Sequence, residues 1–252
     1  MRKINILILL AVGFSIFASC GKEDDSPPDL PDGGKHITYP IQLYSRLNNS
    51  QLFNTDDFAA VIGRIRSSQS YLTILHRIDA VYNLSEIRNP MVSIAEETVK
   101  IPVFIWNRYA GTRVEGSGIL VGQTIGEMRN IPTSDGCSYF SLPLMANESI
   151  NMNFASITFE NENQLAAGVA TIKEKLDDKT VLVGIAGKIL QEKLKSAFPE
   201  NDYPIEIIEG KDEKTNQIIF VITSRKWAVR EHKEAPVGAD GISCFDLEIE
   251  KL

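Results

Sequence analysis

Few side chains in this sequence combine the type and the spacing of a known catalytic set. None of the three histidines, His36, His76 and His232, lies within metal-pair spacing of another, and no CxxC or HxxxH pair occurs. The run GIAGK at 184–188 lacks the spacing of a phosphate-binding GxxxxGK[ST] loop, and no GxSxG nucleophile elbow is present. The sequence therefore contains no local motif for zinc chemistry, nucleotide binding or serine hydrolysis.

Cys20 is the residue whose chemistry is best defined by its neighbours. The chain begins with basic Arg2 and Lys3, residues 4–17 are almost wholly apolar, and small residues precede the cysteine. This layout predicts a secretory signal peptide, because a membrane-spanning helix would need an apolar run of about 20 residues. The cysteine resembles the last residue of a bacterial lipoprotein box, and GKEDD at 21–25 resembles the acidic export tag of Bacteroidetes surface lipoproteins.

That resemblance implies cleavage before Cys20, a diacylglycerol on its thiol, and a lipid-anchored protein of the outer membrane, exposed at the cell surface. We predict a signal peptide at 1–19, a flexible tether rich in Asp, Pro and Gly at 20–35, and one folded domain at 36–252. Loss of Arg2 and Lys3 changes the formal charge from −7 to −9, which argues against nucleic acid as a partner.

Hydrophobic periodicity predicts a mixed α/β domain. Amphipathic helices are predicted to begin at Asn54 or Thr55 and to occupy residues 163–176 and 189–198. Strands are predicted at 37–44, 71–75, 101–106, 118–121, 139–144, 150–159, 180–185, 205–208, 218–223, 226–230 and 242–249. A turn-rich loop is expected between the third and fourth strands, and a polar loop around His232. Two helix-covered sheets fit this order best, and a Cys137–Cys244 disulfide remains open.

Several sequence blocks, taken in order, resemble the endonuclease/exonuclease/phosphatase superfamily, which has the deoxyribonuclease-I-like fold. The blocks are LYS at 43–45, YLTILHRI at 71–78, GSGIL at 116–120, ASITF at 155–159 and VLVGIAGK at 181–188, followed by Phe220, Trp227, Val229 and Ser243. This resemblance covers nearly all of the predicted domain. It implies a four-layer α/β sandwich, in which two mostly antiparallel or mixed sheets pack face to face and helices flank them.

The catalytic residues of that superfamily are not carried over. Its members hold Mg²⁺ with a Glu, use an Asp and an Asn at a strand end, and place two histidines around the scissile phosphate. The corresponding positions here are occupied by Arg46, Arg77, Phe159, Ile185 or Ala186, Lys188, Cys244 and Phe245. A guanidinium only donates hydrogen bonds and repels a metal ion, and Phe cannot transfer protons. We therefore expect no catalytic residue, no bound metal and no cofactor, although the sequence leaves activity open.

Two interpretations of the replaced positions remain. The side chains could simply pack into a vacated cleft, or Arg46, Arg77 and Lys188 could converge on an anion such as a carboxylate or sulfate of a glycan. We expect a binding or scaffolding role with a glycan or an anionic small molecule as partner. One alternative is an active Mg²⁺-dependent phosphodiesterase or phosphatase with relocated ligands. Another is an unrelated β-rich adhesin or lectin. The run WNRY at 106–109 could be an aromatic platform for sugar rings or a partly buried strand end.

Overall fold

A computed structural model describes residues 37–45, 55–81, 90–110, 113–122, 125–134, 136–147, 150–199, 203–210, 216–238 and 242–252. Residues Ile37–Leu252 form one compact unit. The predicted signal peptide, the tether, Cys20 and Arg46 lie outside the described residues. None of the helices in the described part of the chain is long and apolar enough to cross a membrane.

The described residues form strands and helices in an alternating order. The strands are β1 (Ile37–Ser45), β2 (Leu72–Val81), β3 (Ile101–Ala110), β4 (Arg113–Val121), β5 (Arg129–Ser134), β6 (Cys137–Asn147), β7 (Ile150–Phe159), β8 (Thr180–Gly187), β9 (Ile205–Glu209), β10 (Gln217–Thr223), β11 (Trp227–Val237) and β12 (Ile242–Lys251). The helices are α1 (Thr55–Ser67), α2 (Pro90–Thr98), α3 (Glu162–Lys175) and α4 (Gln191–Ala197), with a 3₁₀ turn at Lys188–Leu190.

The strands form two six-stranded sheets. Sheet A has the order β11-β12-β1-β2-β4-β3, and sheet B has the order β5-β6-β7-β8-β10-β9. The pairs β1/β2 and β7/β8 are parallel, whereas the other neighbours are antiparallel, so both sheets are mixed. Strand β8 is buried along nearly its whole length because it lies in the centre of sheet B, which explains its continuous apolar run.

Alternate residues of each strand face the space between the sheets. On β12, Phe245, Leu247 and Ile249 join side chains from both sheets in the central core. The outer face of sheet A packs against α1 and α2, and the outer face of sheet B packs against α3 and α4. These contacts confirm the predicted four-layer sandwich with two mixed sheets and flanking helices.

Helix α3 begins with reciprocal side-chain caps that its sequence encodes. The Asn161 side chain accepts a hydrogen bond from the Gln164 backbone N–H at 3.0 Å, and Gln164 Oε1 accepts one from the Glu160 backbone N–H at 2.7 Å. The first contact satisfies an amide that the first helical turn leaves unpaired, and the second pairs the amide of the residue before the N-cap. They hold the end of β7 and the start of α3 in a defined geometry beside the strand ends of sheet B.

Other local predictions were wrong, and most of the errors lie at the edges of the sheets. Strands β3 and β4 form one long hairpin where a turn-rich loop was predicted, and β11 extends to Val237 through the supposed polar loop around His232. Edge strands β5 and β11 carry many exposed residues, so they lack the apolar pattern by which strands are recognised. The helix predicted at 189–198 is confirmed over 191–197 by α4, which follows a 3₁₀ turn, whereas the short α2 was missed.

The structure does not form the disulfide that the sequence left open. Cys137 and Cys244 are both free and buried. Cys137 belongs to the helix-side cluster of sheet B, whereas Cys244 belongs to the helix-side cluster of sheet A. The two thiols therefore face opposite outer layers of the sandwich, and no bond can join them in this arrangement.

Candidate functional site

The strand ends aligned with the superfamily's catalytic positions meet at one end of the sandwich. Because β1 and β12 pair in antiparallel fashion, Ser45 at the end of β1 lies opposite Ser243 near the start of β12. On sheet B, Gly187 at the end of β8 lies opposite Gln217 at the start of β10. Ser243 and Gln217 line the same narrow space, which brings the ends of the two sheets together.

We call this space the cleft. It is lined by Ile185, Gly210, Gln217, Ile218, Ile219, Glu234, Ser243 and Phe245. Its volume is about 10 Å³, which is close to the minimum for one water molecule. Small-molecule sites usually have volumes of about 300–1,000 Å³, so the part of the cleft that the described residues line is too small for a phosphodiester.

The residues at the predicted catalytic positions do not all face the cleft. Phe245 and Ile185 point inward and belong to the core between the sheets. Phe159, Ala186 and Cys244 point outward, toward the helices. Because successive strand residues face opposite sides, a shift of one position decides whether a side chain can reach the cleft.

Phe159 is held on the helix side of sheet B. Its ring stacks on Phe220, with a centroid distance of 5.8 Å and an interplanar angle of 3°. The ring also fills the space over Gly168 of α3, where an added Cβ would lie 2.8 Å from Phe159 Cζ. Phe159 therefore does pack, but it packs between sheet B and α3 and takes no part in filling the cleft.

Of the three candidate cations, Lys188 is the one whose side chain the structure describes. Its Nζ lies 2.7 Å from Glu209 Oε2, and Gln191 Nε2 donates to Glu209 Oε1 at 3.1 Å. The Lys188 and Gln191 hydrogen bonds lower the pKa of Glu209. Arg77 follows His76 at an irregularity in the pairing of β2 with β4, and its side chain, like all of Arg46, lies outside the described residues. The structure thus shows Lys188 in an ion pair with Glu209, and the convergence of the three cations on an anion stays a prediction.

The structure also describes the surroundings of Trp227, Trp106 and His232, which the sequence left as candidate residues. Trp227 is buried, and its Nε1 donates to the Asp178 backbone carbonyl at 3.0 Å. Trp106 is 41% exposed on edge strand β3. His232 Nδ1 lies 3.3 Å from Glu206 Oε1, so the contact between these two side chains links β11 of sheet A to β9 of sheet B. Among the described residues, no group of three or more His, Cys, Asp or Glu side chains could hold a metal ion.

A larger depression lies at the opposite end of the sandwich, and sequence reasoning missed it. We call it the β9–β11 groove. Its volume is about 470 Å³, and its lining combines apolar residues with a few polar groups: Pro204, Ile205, Glu206, Val221, Thr223, Arg225, Trp227, Ala228, Val229 and Leu252. These residues come from three strands and the chain segments beside them, so no local pattern could have indicated the groove. Its volume lies in the range that small-molecule sites occupy.

The described fold is similar to solved structures of very low sequence identity, although comparisons with protein-family models and with curated proteins found no match. The endonuclease/exonuclease/phosphatase from Bacteroides vulgatus aligns with a TM-score of 0.62 and 10% identity over 86% of this chain and 100% of that chain. The one from Beutenbergia cavernae aligns with a TM-score of 0.60 and 7% identity over 85% and 72% of the two chains.

A mannosyl-6-phosphatase from Bacteroides thetaiotaomicron aligns with a TM-score of 0.56 and 9% identity over 85% of this chain and 99% of that chain. Identities this low establish the fold and carry no residue roles with them. The chain therefore has the fold of the endonuclease/exonuclease/phosphatase proteins, as the order of its sequence blocks predicted.

Proposed function

We propose that this chain is an outer-membrane lipoprotein whose endonuclease/exonuclease/phosphatase-like domain hydrolyses no phosphoester and instead binds a ligand or supports a partner at the cell surface. The observation that carries this proposal is the filled cleft. Among the described residues, Phe245 and Ile185 occupy the space between the strand ends, and the volume that these residues leave there is about 10 Å³.

The chemistry of the lining residues supports the same conclusion. Hydrolysis of a phosphodiester with Mg²⁺ needs carboxylate oxygens that hold the ion and groups that transfer protons. Among the described residues that line the cleft, Glu234 is the one carboxylate, and Gln217 and Ser243 are the neutral polar side chains beside it. A site with one carboxylate among neutral and apolar side chains binds a divalent cation poorly.

A hydrolysis assay tests the absence of activity. We expect the purified protein to release no nitrophenol from bis-(p-nitrophenyl) phosphate and to leave plasmid DNA intact, with either Mg²⁺ or Mn²⁺. Glu234→Gln is the matched variant, because it removes the carboxylate of the cleft and keeps the shape of the side chain. Turnover that a chelator abolishes and that Glu234→Gln lowers would replace this proposal with the alternative of an active phosphoesterase.

The lipid anchor is supported by the sequence of residues 1–25, and it has a separate test. Cells that express the full chain and are fed labelled palmitate should incorporate label into the wild type and not into Cys20→Ser. Protease added to intact cells should degrade the anchored protein if the acidic residues at 21–25 direct it to the surface. Label retained in Cys20→Ser would contradict the anchor, and full protection from protease would place the protein on the periplasmic side.

The β9–β11 groove supports the ligand-binding part of the proposal. Arg225 and Glu206 could contact polar groups of a glycan or an anionic small molecule, while Val229 and Ala228 contact its apolar parts. A glycan array of the purified protein is the direct screen. Ala228→Trp, which fills the groove, should abolish any binding found there. Binding that persists in this variant would place the ligand elsewhere on the protein.

A further inference from the structure

The β9–β11 groove is bordered by two edge strands. Among the strands that the structure describes, β9 pairs only with β10 at one edge of sheet B, and β11 pairs only with β12 at one edge of sheet A. The outer side of an edge strand carries backbone N–H and C=O groups that its own sheet does not use. The groove therefore lies beside backbone donors and acceptors as well as side chains.

The register of the sheet determines which backbone groups of β9 face outward. The Thr223 N–H donates to the Pro204 carbonyl at 3.1 Å, and these two residues continue the register in which β10 pairs with β9. In an antiparallel ladder, residue pairs that exchange hydrogen bonds alternate with pairs whose backbone groups point away from each other. Counted from this bonded pair, the N–H and C=O groups that point away from β10 are those of Ile205, Ile207 and Glu209.

The outer edge of β9 is more regular than that of β11. The pairing of β9 with β10 is continuous, whereas β11 has a bulge between Val229 and Glu231 that breaks the alternation of its edge groups. Residues directly opposite each other on neighbouring strands point to the same face of a sheet. Glu206 lines the groove, so a strand added beside β9 would direct the side chain opposite Glu206, and its alternate neighbours, to the face that borders the groove.

The lining of the groove suits apolar side chains better than sugar hydroxyl groups. Trp227 is buried, and its Nε1 already donates to the Asp178 backbone carbonyl at 3.0 Å, so the indole offers a ligand little ring surface and no N–H. Val221, Ala228 and Val229 contribute further apolar surface. A hydroxyl group that leaves water without gaining a hydrogen-bond partner costs free energy, whereas an apolar side chain gains from the same burial.

One charged residue marks the end of the groove where β9 begins. Exposed Arg225 lines the groove and lies two residues after Thr223, whose partner Pro204 directly precedes β9. A strand antiparallel to β9 runs toward this end, so its last residue would finish near Arg225. A guanidinium forms charge-assisted hydrogen bonds with a carboxylate. The charge of Arg225 therefore complements the C-terminal carboxylate of such a strand.

We propose that the β9–β11 groove binds the C-terminal segment of a partner peptide, which adds to sheet B as a strand antiparallel to β9. Its backbone pairs with Ile205 and Ile207, alternate apolar side chains enter the groove, and its carboxylate meets Arg225. This inference rests on the ligand-binding part of the proposed function. In edge-strand addition, main-chain hydrogen bonds supply affinity and the sites for alternate side chains supply specificity.

A library of synthetic pentapeptides, attached by their N-termini so that the carboxylate is free, is the probe for the purified full chain. The selected peptides should carry Val, Ile, Leu or Phe at alternate positions. Fluorescence polarisation then measures the affinity of the best peptide as the free acid and as the C-terminal amide. We expect the amide to bind about tenfold more weakly to the wild type, and Arg225→Gln to bind both forms equally.

A pair of variants at Ile207 tests the backbone pairing. Ile207→Pro removes the outward N–H, and a proline is tolerated on an edge strand at such a position because the strand beside it loses no hydrogen bond. Ile207→Ala is the matched control, because it shortens the same side chain and keeps the N–H. The peptide should bind about tenfold more weakly to Ile207→Pro than to Ile207→Ala. Circular dichroism checks that both variants fold.

Equal affinities of the two Ile207 variants, or a library without a binder, would overturn the inference. These results remain distinct from a failure of the proposed function. If a glycan binds the wild type and Ala228→Trp abolishes that binding while no peptide binds, the groove is a ligand site and only the peptide is refuted. If neither a peptide nor a glycan binds, the ligand-binding part of the proposed function is contradicted as well.

Discussion

Two glycines inside helices provide a direct test of where Phe159 points. Gly63 of α1 is exposed, and a Cβ added there meets no atom within 4 Å. Gly168 of α3 is buried, and a Cβ added there would overlap Phe159 Cε1 and would lie 2.8 Å from Cζ. The same substitution, Gly→Ala, therefore meets open space in one helix and an aromatic ring in the other.

The two substitutions should change stability in opposite directions. Alanine is favoured over glycine inside a helix by about 0.5–1 kcal/mol, so Gly63→Ala should stabilise the protein by about this amount. Gly168→Ala gains the same helix preference but forces an extra methyl group into a packed interface, which costs about 1–3 kcal/mol. Phe159 cannot easily move away, because Phe220 stacks on it. We expect net destabilisation by about 0.5–2 kcal/mol.

Urea unfolding followed by circular dichroism measures both changes, and a stability change of about 1 kcal/mol should shift the melting temperature by about 2–4 °C in a domain of this size. Phe159→Leu should relieve part of the overlap, so its combination with Gly168→Ala should cost less than the sum of the single changes. If Gly168→Ala stabilised the protein as much as Gly63→Ala, Phe159 would not lie against α3. The reasoning that removes this side chain from the cleft would then be refuted.

Four further predictions concern the cysteines, one turn and the cleft. Ellman's reagent at pH 8 should label neither Cys137 nor Cys244 in the folded protein, because burial raises the pKa of both thiols, and rapid labelling would show that they are accessible. Folding raises the pKa of Cys244 from 9.0 to about 11. The contribution of the protonated thiol to the free energy of unfolding is therefore complete below pH 9, and it is lost as the pH rises through 11, because the thiol ionises first in the unfolded chain. The urea midpoint should fall over this pH range less in Cys244→Ala than in the wild type. Gly238→Ala should destabilise by about 1–3 kcal/mol, because Gly238 has a φ of 76° and its added Cβ would lie 3.0 Å from Asp57 Cγ; an unchanged urea midpoint would contradict this. Phe245→Ala should cost about 3–5 kcal/mol in urea unfolding if Phe245 fills the core beside the cleft, and a loss below about 1 kcal/mol would argue that it does not.

Sequence patterns predicted the elements whose signals are local. Strand β7 has the predicted bounds of 150–159, and α3 differs from its predicted range by one residue at each end. In both elements the apolar residues repeat with the period of a strand or a helix and are buried accordingly. The succession of strands and helices predicted two helix-covered sheets, and the resemblance of the sequence blocks to the superfamily implied the four-layer architecture.

Edge strands and side-chain direction required the tertiary structure. The polar part of β11 becomes a strand because β12 supplies its backbone partners, and no apolar pattern in β11 itself indicates this. Aligned positions likewise did not show that Phe245 faces the cleft while Phe159 faces α3. Strand side chains alternate between the two faces, so an aligned position with an uncertainty of one residue leaves the facing side undecided.

By itself, the sequence determined the helical and strand periods, the order of the layers and the prediction of a lipid at Cys20. Only the tertiary structure decided which distant residues touch. Lys188 meets Glu209 and Lys100 meets Ser70 across separations of 21 and 30 positions. The physical reason is that a local period encodes which face of an element is apolar, whereas the register and packing of separate elements decide which polar groups on those faces come within bonding distance.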